Sequence, residues 1–153
     1  RVSGKAGIAV LDSRDEQETA RIAADYASDL APGDLVLVTG EVGAGKSTFV
    51  RAALRALGVE GPIPSPTFTI GRAYRGRLPL SHLDLYRLDL PDAEVPDLLD
   101  EYLRPDGLAF VEWPDRPLGN LFAQPKRVGQ VEIELREEGR REIRLRPPVA
   151  RSD

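Results

Sequence analysis

A ten-residue stretch at residues 40–49, GEVGAGKSTF, combines three glycines, one lysine and two hydroxyl side chains. It contains the spacing G-x-x-x-x-G-K-[ST] of a phosphate-binding loop at Gly40, Gly45, Lys46 and Ser47. Glycines let backbone N–H groups turn inward around phosphate oxygens. A helix that begins near Lys46 would direct the positive end of its dipole at the same oxygens. The spacing therefore predicts a nucleotide site.

The side chains of this loop have separate predicted roles. The Lys46 ammonium should reach the β and γ phosphates of ATP, and the Ser47 hydroxyl should take a place on Mg²⁺, which prefers oxygen ligands. We expect the whole loop to bind ATP or ADP: Gly40, Glu41, Val42, Gly43, Ala44, Gly45, Lys46 and Ser47. The alternative is a chance glycine-rich turn, but the apolar run before the loop and the amphipathic helix after it favour the nucleotide site.

A nucleotide site of this kind also needs carboxylates that place the metal and the attacking water. Glu112 closes the run LAFVE, in which four apolar residues precede an acid. This is the Walker B pattern, which puts a carboxylate beside the metal, so Ser47 and Glu112 are the predicted Mg²⁺ ligands. The alternative interpretation of Glu112 is an acidic residue in a turn.

A second carboxylate, Asp84, lies in the run SHLDLYR. Side chains alternate along a strand, which places Leu83 and Leu85 on one face. The other face then gathers an imidazole, a carboxylate and a phenol: His82, Asp84 and Tyr86. The alternative is a solvated sheet face. We assign no catalytic base to His82, because a lone histidine is more often structural.

The run SPTF at 65–68 places hydroxyl groups on a stiff loop after the glycine-rich stretch. In many phosphate-loop proteins a threonine in such a loop senses the γ-phosphate and the metal, which makes Thr67 a candidate. The alternative is a proline turn that enters a strand.

The elements that must position these residues alternate between strands and helices. Leu35 to Val38 is a continuous, largely β-branched apolar run, as in strands buried on both faces of a parallel sheet. Lys46 to Leu57 carries an apolar helical face and stops at Gly58, and Leu108 to Val111 forms another buried strand. The order predicts an α/β fold of the P-loop NTPase type, with a mostly parallel sheet flanked by helices.

The remaining patterns predict additions to this sheet. SRDE at 13–16 is a capping-box pattern, with Ser13 as cap and Glu16 reaching back, for a helix that runs to about Leu30. Further predicted elements are an edge strand at Ile8 to Leu11, strands at Thr67 to Tyr74 and Leu78 to Leu85, an acidic helix from Pro91 to about Leu103, and a hairpin of Val131 to Leu135 with Glu142 to Arg146. Residues 1–6 and 147–153 are expected to be flexible ends.

Composition limits the class of protein. The 153 residues suit one domain, no apolar run reaches membrane-helix length, and the absence of cysteine is compatible with a reducing cytoplasm. The net charge of −4 is not that of a protein that grips nucleic acid alone. Asp84 to Asp106 holds eight acidic residues and two arginines, either a solvated face or a docking surface for a basic partner.

Four motifs together resemble the TsaE (YjeE) family: GEVGAGKST, SPTFT, HLDLYRL and VEWPDR, in this order and at these separations. DEQET in the first helix is similar to the start of that family, and the resemblance runs from about Leu11 to Leu145. It implies a small bacterial ATPase that binds ATP and Mg²⁺ and works with the partners TsaB and TsaD. Its ATP hydrolysis would support threonylcarbamoyl transfer to the tRNA adenosine beside the anticodon, so tRNA would be contacted indirectly.

By matching motif positions, the resemblance also implies roles for single residues. Lys46, Ser47 and Glu112 keep the roles given above, and Asp84 becomes a catalytic or switch carboxylate. The resemblance further implies a place beside the loop for Thr48, near the nucleotide for Glu16, in a switch-like loop for Thr67 and beside the active site for Trp113. The implied catalytic set is Lys46, Thr67, Asp84 and Glu112. Ser47 stands where many members have threonine, and both offer the hydroxyl.

Two other functions stay open on the sequence. A small nucleotide or metabolite kinase would share the phosphate loop, although such kinases usually need an arginine-bearing lid and YRGRL is only a short hairpin tip. A nucleotide-gated adaptor would bind ATP without needing to hydrolyse it. A GTPase is less favoured, because the guanine motif N/T-K-x-D does not occur.

Overall fold

The computed structural model describes residues 7–41, 43–64, 71–85, 97, 100–113 and 127–150. Besides one 3₁₀ turn at Glu137–Gly139, the elements bounded within them are two α-helices and seven strands: β1 (Ala9–Ser13), α1 (Glu16–Ala27), β2 (Leu35–Gly40), α2 (Lys46–Ala56), β3 (Gly71–Arg75), β4 (Pro79–Asp84), β5 (Leu108–Glu112), β6 (Arg127–Leu135) and β7 (Arg141–Ala150). The strands form one sheet in the order β1-β7-β6-β2-β5-β4-β3.

The centre of the sheet is parallel, as the sequence predicts. Strands β6, β2, β5 and β4 run in the same direction, and β7, β1 and β3 add antiparallel pairs at the two sides. The order confirms an α/β fold with a mostly parallel core and antiparallel additions. Neither described helix is long and apolar enough to cross a membrane.

Each face of the central sheet has its own apolar cluster. Val36 and Val38 of β2 belong to the cluster that α1 and α2 cover, together with Phe49 and Leu54 of α2. The alternate residues of β2 pack on the opposite face, in a cluster that includes Trp113. The continuous apolar run of β2 is thus buried on both sides, as expected for a central strand of a parallel sheet.

The predicted start and end of the first helix are wrong. The side chain of Asp15 caps α1 by accepting a hydrogen bond from the backbone N–H of Glu18, and the helix ends at Ala27 rather than Leu30. Ser13 is instead the last residue of β1, and its buried hydroxyl donates to the Asp15 carbonyl and shares a hydrogen bond with Thr19. Serine and aspartate cap helices about equally well, and strand pairing decides between them here.

The prediction that the chain frays from Pro147 onward is also wrong for residues 147–150, which belong to a strand. Strand β7 continues to Ala150, which pairs with Arg127, so β6 also begins earlier than predicted. Strand β1 pairs with β7 only as far as Leu145. Among the described residues, β7 has no partner on its β1 side at Pro147 and Pro148, where the missing N–H groups are tolerated.

Other predicted elements are confirmed in part. Strand β1 lies at the edge of the sheet, and β3 and β4 form the predicted antiparallel pair. Residues 67–70 lie outside the described part of the chain, as does most of the predicted acidic helix, of which Asp97 and Asp100 are helical.

The strands of the parallel core end side by side. Val38 of β2 is registered with Glu112 of β5, and Glu112 is registered with Asp84 of β4. The edge at the carboxyl ends of parallel strands is where ligands bind in open α/β sheets.

Candidate functional site

The glycine loop, residues 40–47, turns the chain from the end of β2 into the start of α2. Gly45 is the N-cap of α2 and has a φ of +104°, a left-handed conformation that favours glycine. A Cβ on Gly40 would collide with the carbonyl oxygen of Ile133 on the neighbouring strand β6. Local geometry therefore requires glycine at both positions. The first N–H groups of α2, which have no partner within the helix, point out of it at this edge.

Lys46 lies in the first turn of α2 and is buried, with 7% of its surface exposed. Its ammonium donates hydrogen bonds to the carbonyl oxygens of Gly40 at 2.8 Å and Glu41 at 3.0 Å. Burial lowers the Lys46 pKa, and the negative charges of Glu112 and Asp84 act in the opposite direction. The lysine charge thus lies within reach of both predicted carboxylates.

Glu112 ends β5 with 3% of its surface exposed, and it contacts the loop directly. The Ser47 hydroxyl lies 3.3 Å from Glu112 Oε2 and 3.5 Å from Oε1. A hydroxyl and a carboxylate side by side are the oxygen donors that Mg²⁺ prefers, so the residues present fit the predicted metal. The alternative of a turn residue does not apply to Glu112, because it is the buried end of a strand.

Asp84 is the half-buried last residue of β4, directly beside Glu112 across the parallel pair. Two carboxylates therefore stand at neighbouring strand ends, next to the buried lysine. Glu112 contacts Ser47 of the glycine loop, whereas Asp84 lies one strand further from the loop.

His82 is brought into the site, although the sequence suggested no role for it. Its side chain is fully buried, and Nε2 lies 2.6 Å from Glu112 Oε2. The solvated-face interpretation is therefore wrong at His82. The alternation along SHLDLYR places His82 on the same face as Asp84, but the pairing with Glu112 depends on the register of β4 against β5.

Arg141 is a second contact that the sequence did not indicate. It is the first residue of β7, and its Nε donates to the Ala44 carbonyl in the glycine loop at 2.7 Å. A second guanidinium nitrogen donates to the Gly139 carbonyl in the preceding turn at 2.8 Å. Arg141 thus ties the β6–β7 hairpin to the loop across 97 residues of sequence, a separation that no local motif reveals.

The other predicted site residues have different positions. Thr48 follows Ser47 in α2, and Trp113 is buried directly after Glu112. Glu16 is the exposed first residue of α1 and does not cap it. Thr67 and Val42 lie outside the described residues, so their predicted roles stay predictions.

A family model spans the residues of this site. The family model described as Threonylcarbamoyl adenosine biosynthesis protein TsaE matches residues 13–143. The chain belongs to the TsaE family. That range includes the glycine loop, Asp84 and Glu112, so the resemblance inferred from the four motifs is confirmed.

Individual relatives of the TsaE family match most of the chain. The tRNA threonylcarbamoyladenosine biosynthesis protein TsaE of Bacillus subtilis is 40% identical over 126 residues, which cover 78% of each chain. The protein of the same name from Treponema pallidum is 35% identical and covers 86% of this chain and 95% of its own. The crystal structure of YdiB from Bacillus subtilis aligns with a TM-score of 0.70 at 32% identity, covering 94% of this chain and 87% of YdiB. The fold and the process, tRNA threonylcarbamoyladenosine biosynthesis, are therefore those of the TsaE family.

Proposed function

We propose that this TsaE-family chain is a Mg²⁺-dependent ATPase of the cytoplasm, which supports threonylcarbamoyl transfer to the tRNA adenosine beside the anticodon. The observation that carries the proposal is the gathering of Lys46, Ser47, Glu112 and Asp84 at one edge of the parallel sheet. Family membership supplies the process, and these four side chains supply the chemistry.

Binding would rest on the glycine loop. The Lys46 ammonium offers a charge-assisted contact to the β and γ phosphates, and the N-terminus of α2 adds backbone N–H groups and a positive dipole end. Ser47 and Glu112 would hold Mg²⁺, which would neutralise phosphate charge during phosphoryl transfer. Arg141 keeps the Ala44 carbonyl turned to the hairpin, and in a planar trans peptide the Gly45 N–H then points the opposite way.

Hydrolysis needs an oriented water, and Asp84 is the residue we assign to it. Catalysis of phosphoryl transfer is largely positioning and charge stabilisation, so one carboxylate near the γ-phosphate suffices to orient the nucleophile. Glu112 already contacts Ser47 and His82, whereas Asp84 ends the next strand outward. We therefore divide the work between Glu112 as metal support and Asp84 as water positioner.

Two partner proteins, TsaB and TsaD, complete the proposal. The net charge of −4 argues against a direct grip on tRNA, so tRNA contact is assigned to the partners. Closure of a partner over the γ-phosphate would exclude bulk water while keeping the oriented nucleophile, and so raise the turnover of a slow isolated ATPase.

The test is a phosphate-release assay on the purified chain, with and without TsaB and TsaD. We expect slow Mg²⁺-dependent hydrolysis of ATP by the isolated chain, acceleration by the two partners, and loss of both in Lys46→Ala. Absence of hydrolysis by the complete mixture would contradict the ATPase. ADP formation that appears only with a small-molecule acceptor, with the phosphoryl group on the acceptor instead of released as phosphate, would point to the kinase instead.

A further inference from the structure

We propose that His82 is a positioning residue for Glu112, which fixes the carboxylate in the orientation that supports Mg²⁺ at the nucleotide site. The inference rests on the proposed Mg²⁺-nucleotide function and assigns a specific task within it. His82 itself touches neither the glycine loop nor its hydroxyl groups in the described contacts, so its action goes through Glu112.

The contact is short and inaccessible to water. His82 Nε2 lies 2.6 Å from Glu112 Oε2, and the two side chains are 0% and 4% exposed. Since a carboxylate oxygen accepts, the ring donates from Nε2. Water cannot replace a donor at this depth, so removal of the imidazole would leave a buried carboxylate oxygen short of one partner.

The contact also selects one of the two carboxylate oxygens. Ser47 Oγ lies 3.3 Å from Oε2 and 3.5 Å from Oε1, so the hydroxyl discriminates little between them. The 2.6 Å contact with His82 holds Oε2, which leaves Oε1 the less engaged of the two. A carboxylate without this restraint can turn toward the nearby Lys46 charge, which competes with its place beside Ser47.

The second ring nitrogen argues against a role in stability alone. Among the described residues, His82 Nδ1 is buried and has no hydrogen-bond partner. Leu80 and Phe110 belong to the helix-covered core on the same side of the sheet, where an apolar side chain would avoid that cost. The hydrogen bond from Nε2 to Glu112 offsets the cost of the buried Nδ1. Histidine and carboxylate pairs orient metal ligands in the same way.

The experiment compares three variants of the full chain. His82→Leu removes the donor at similar size, and His82→Gln replaces the ring by an amide N–H of similar reach. Ser81→Ala is the matched control, because Ser81 is a buried neighbour in β4 whose hydroxyl donates to the Tyr102 carbonyl on the other face. Calorimetric titrations with ADP at a series of Mg²⁺ concentrations give the Mg²⁺ concentration at which the enhancement of ADP binding is half-maximal.

We expect His82→Leu to raise that Mg²⁺ concentration by about tenfold or more, the effect typical of lost supporting contacts at metal sites. His82→Gln should lie closer to the wild type, and Ser81→Ala should not differ from it. Metal-free ADP binding should be alike in all four proteins. Wild-type Mg²⁺ dependence in His82→Leu, or an equal shift in Ser81→Ala, would overturn the inference.

A spectroscopic test is available because the chain has one histidine. In ¹⁵N-histidine NMR spectra of the wild type, we expect a slowly exchanging proton on Nε2, with a resonance that moves on addition of Mg²⁺ with ADP and moves less with ADP alone. A ring protonated only at Nδ1 would overturn the proposal. If the wild type binds no nucleotide, the proposed function itself is contradicted. If the wild type binds nucleotide and His82→Leu shows the same Mg²⁺ dependence, only the role of His82 is contradicted.

Discussion

Lys46 carries its charge under conditions that oppose it. Burial lowers the pKa of its ammonium, whereas the nearby charges of Glu112 and Asp84 raise it, and the carbonyls of Gly40 and Glu41 accept hydrogen bonds from it. A buried ammonium at a helix N-terminus is unfavourable by itself, because the helix dipole is positive there. Triphosphate binding would add negative charge beside the Lys46 ammonium.

Lys46→Ala should therefore weaken ATP binding, since it removes a charge-assisted contact worth roughly 1.5–3 kcal/mol. That range corresponds to a loss in affinity of about tenfold or more. Calorimetry with ATP and Mg²⁺ measures it, and circular dichroism checks that the variant is folded. Wild-type affinity in a folded Lys46→Ala protein would contradict the phosphate-loop assignment.

Glu112→Ala should weaken the Mg²⁺ dependence of nucleotide binding, because it removes the carboxylate beside Ser47. The expected loss of metal enhancement is at least as large as that of His82→Leu, since Glu112 is the group on which His82 acts. Titration with ADP at several Mg²⁺ concentrations reads this effect. A variant that keeps the full metal enhancement would show that Glu112 has no part in holding Mg²⁺.

Asp84→Asn should slow hydrolysis while it leaves folding and most of the binding affinity in place. The amide keeps the size of the side chain but cannot accept a proton or fix the water as the carboxylate does. Single-turnover hydrolysis with a saturating chain concentration isolates this step from binding. A normal rate constant would mean that water is positioned by another group.

At the scale of elements, the sequence predicts the glycine loop and the elements on either side of it, although it misplaces the start and end of α1. The glycine loop and the start of α2 follow from nearby residues, because a buried strand, a glycine turn and an amphipathic helix are contiguous. The contacts of Glu112 with His82 and of Ala44 with Arg141 depend on strand register and hairpin placement. No spacing within a single segment encodes those distances, so both contacts were missed.

The packing of α1 on the sheet depends on Tyr26, to which the sequence analysis assigned no role. Its ring is buried against Phe49, with centroids 6.1 Å apart at 61°, and its hydroxyl donates to the Arg146 carbonyl at 2.7 Å. The phenol thus joins α1, α2 and β7. Burial raises the Tyr26 pKa above its ordinary value, with a further contribution from the Asp34 charge.

Tyr26→Phe should lower the free energy of unfolding by about 1 kcal/mol, since it removes one hydrogen bond and keeps the ring contact. Because the folded-state pKa is raised, this contribution is fully present below the unfolded tyrosine pKa of about 10 and declines as pH rises above it. Urea unfolding of both proteins at neutral pH and above pH 10 measures the difference. A wild-type advantage that grows with alkaline pH would contradict this assignment.

At the scale of the whole molecule, the net charge of −4 bears on which partners the chain binds. Residues alone indicate a nucleotide site and a negative surface, and only the family resemblance supplied TsaB, TsaD and tRNA. Partner surfaces are not encoded by any short spacing, so the sequence could not locate them. The switch-like loop at 65–68 and the strand that carries Asp84 are the predicted points of contact.

We expect the TsaB–TsaD pair to bind the ATP form more tightly than the nucleotide-free form, and by linkage the pair should raise ATP affinity by the same factor. Thr67→Ala should reduce this coupling more than it reduces ATP binding by the isolated chain. Light-scattering titrations with ATP, ADP and no nucleotide measure the coupling. Equal partner affinity in all three states would remove the support for gating.

The central claim is that ATP hydrolysis by this chain supports tRNA modification, and reconstitution tests it most directly. Threonylcarbamoyladenosine is measured in tRNA incubated with TsaB, TsaD and the threonylcarbamoyl donor, with the wild type, with Asp84→Asn or without this chain. We predict sustained modification with the wild type and little with Asp84→Asn, although that variant still binds ATP. Equal modification in all three mixtures, or full activity of a hydrolysis-deficient Asp84→Asn protein, would contradict the account.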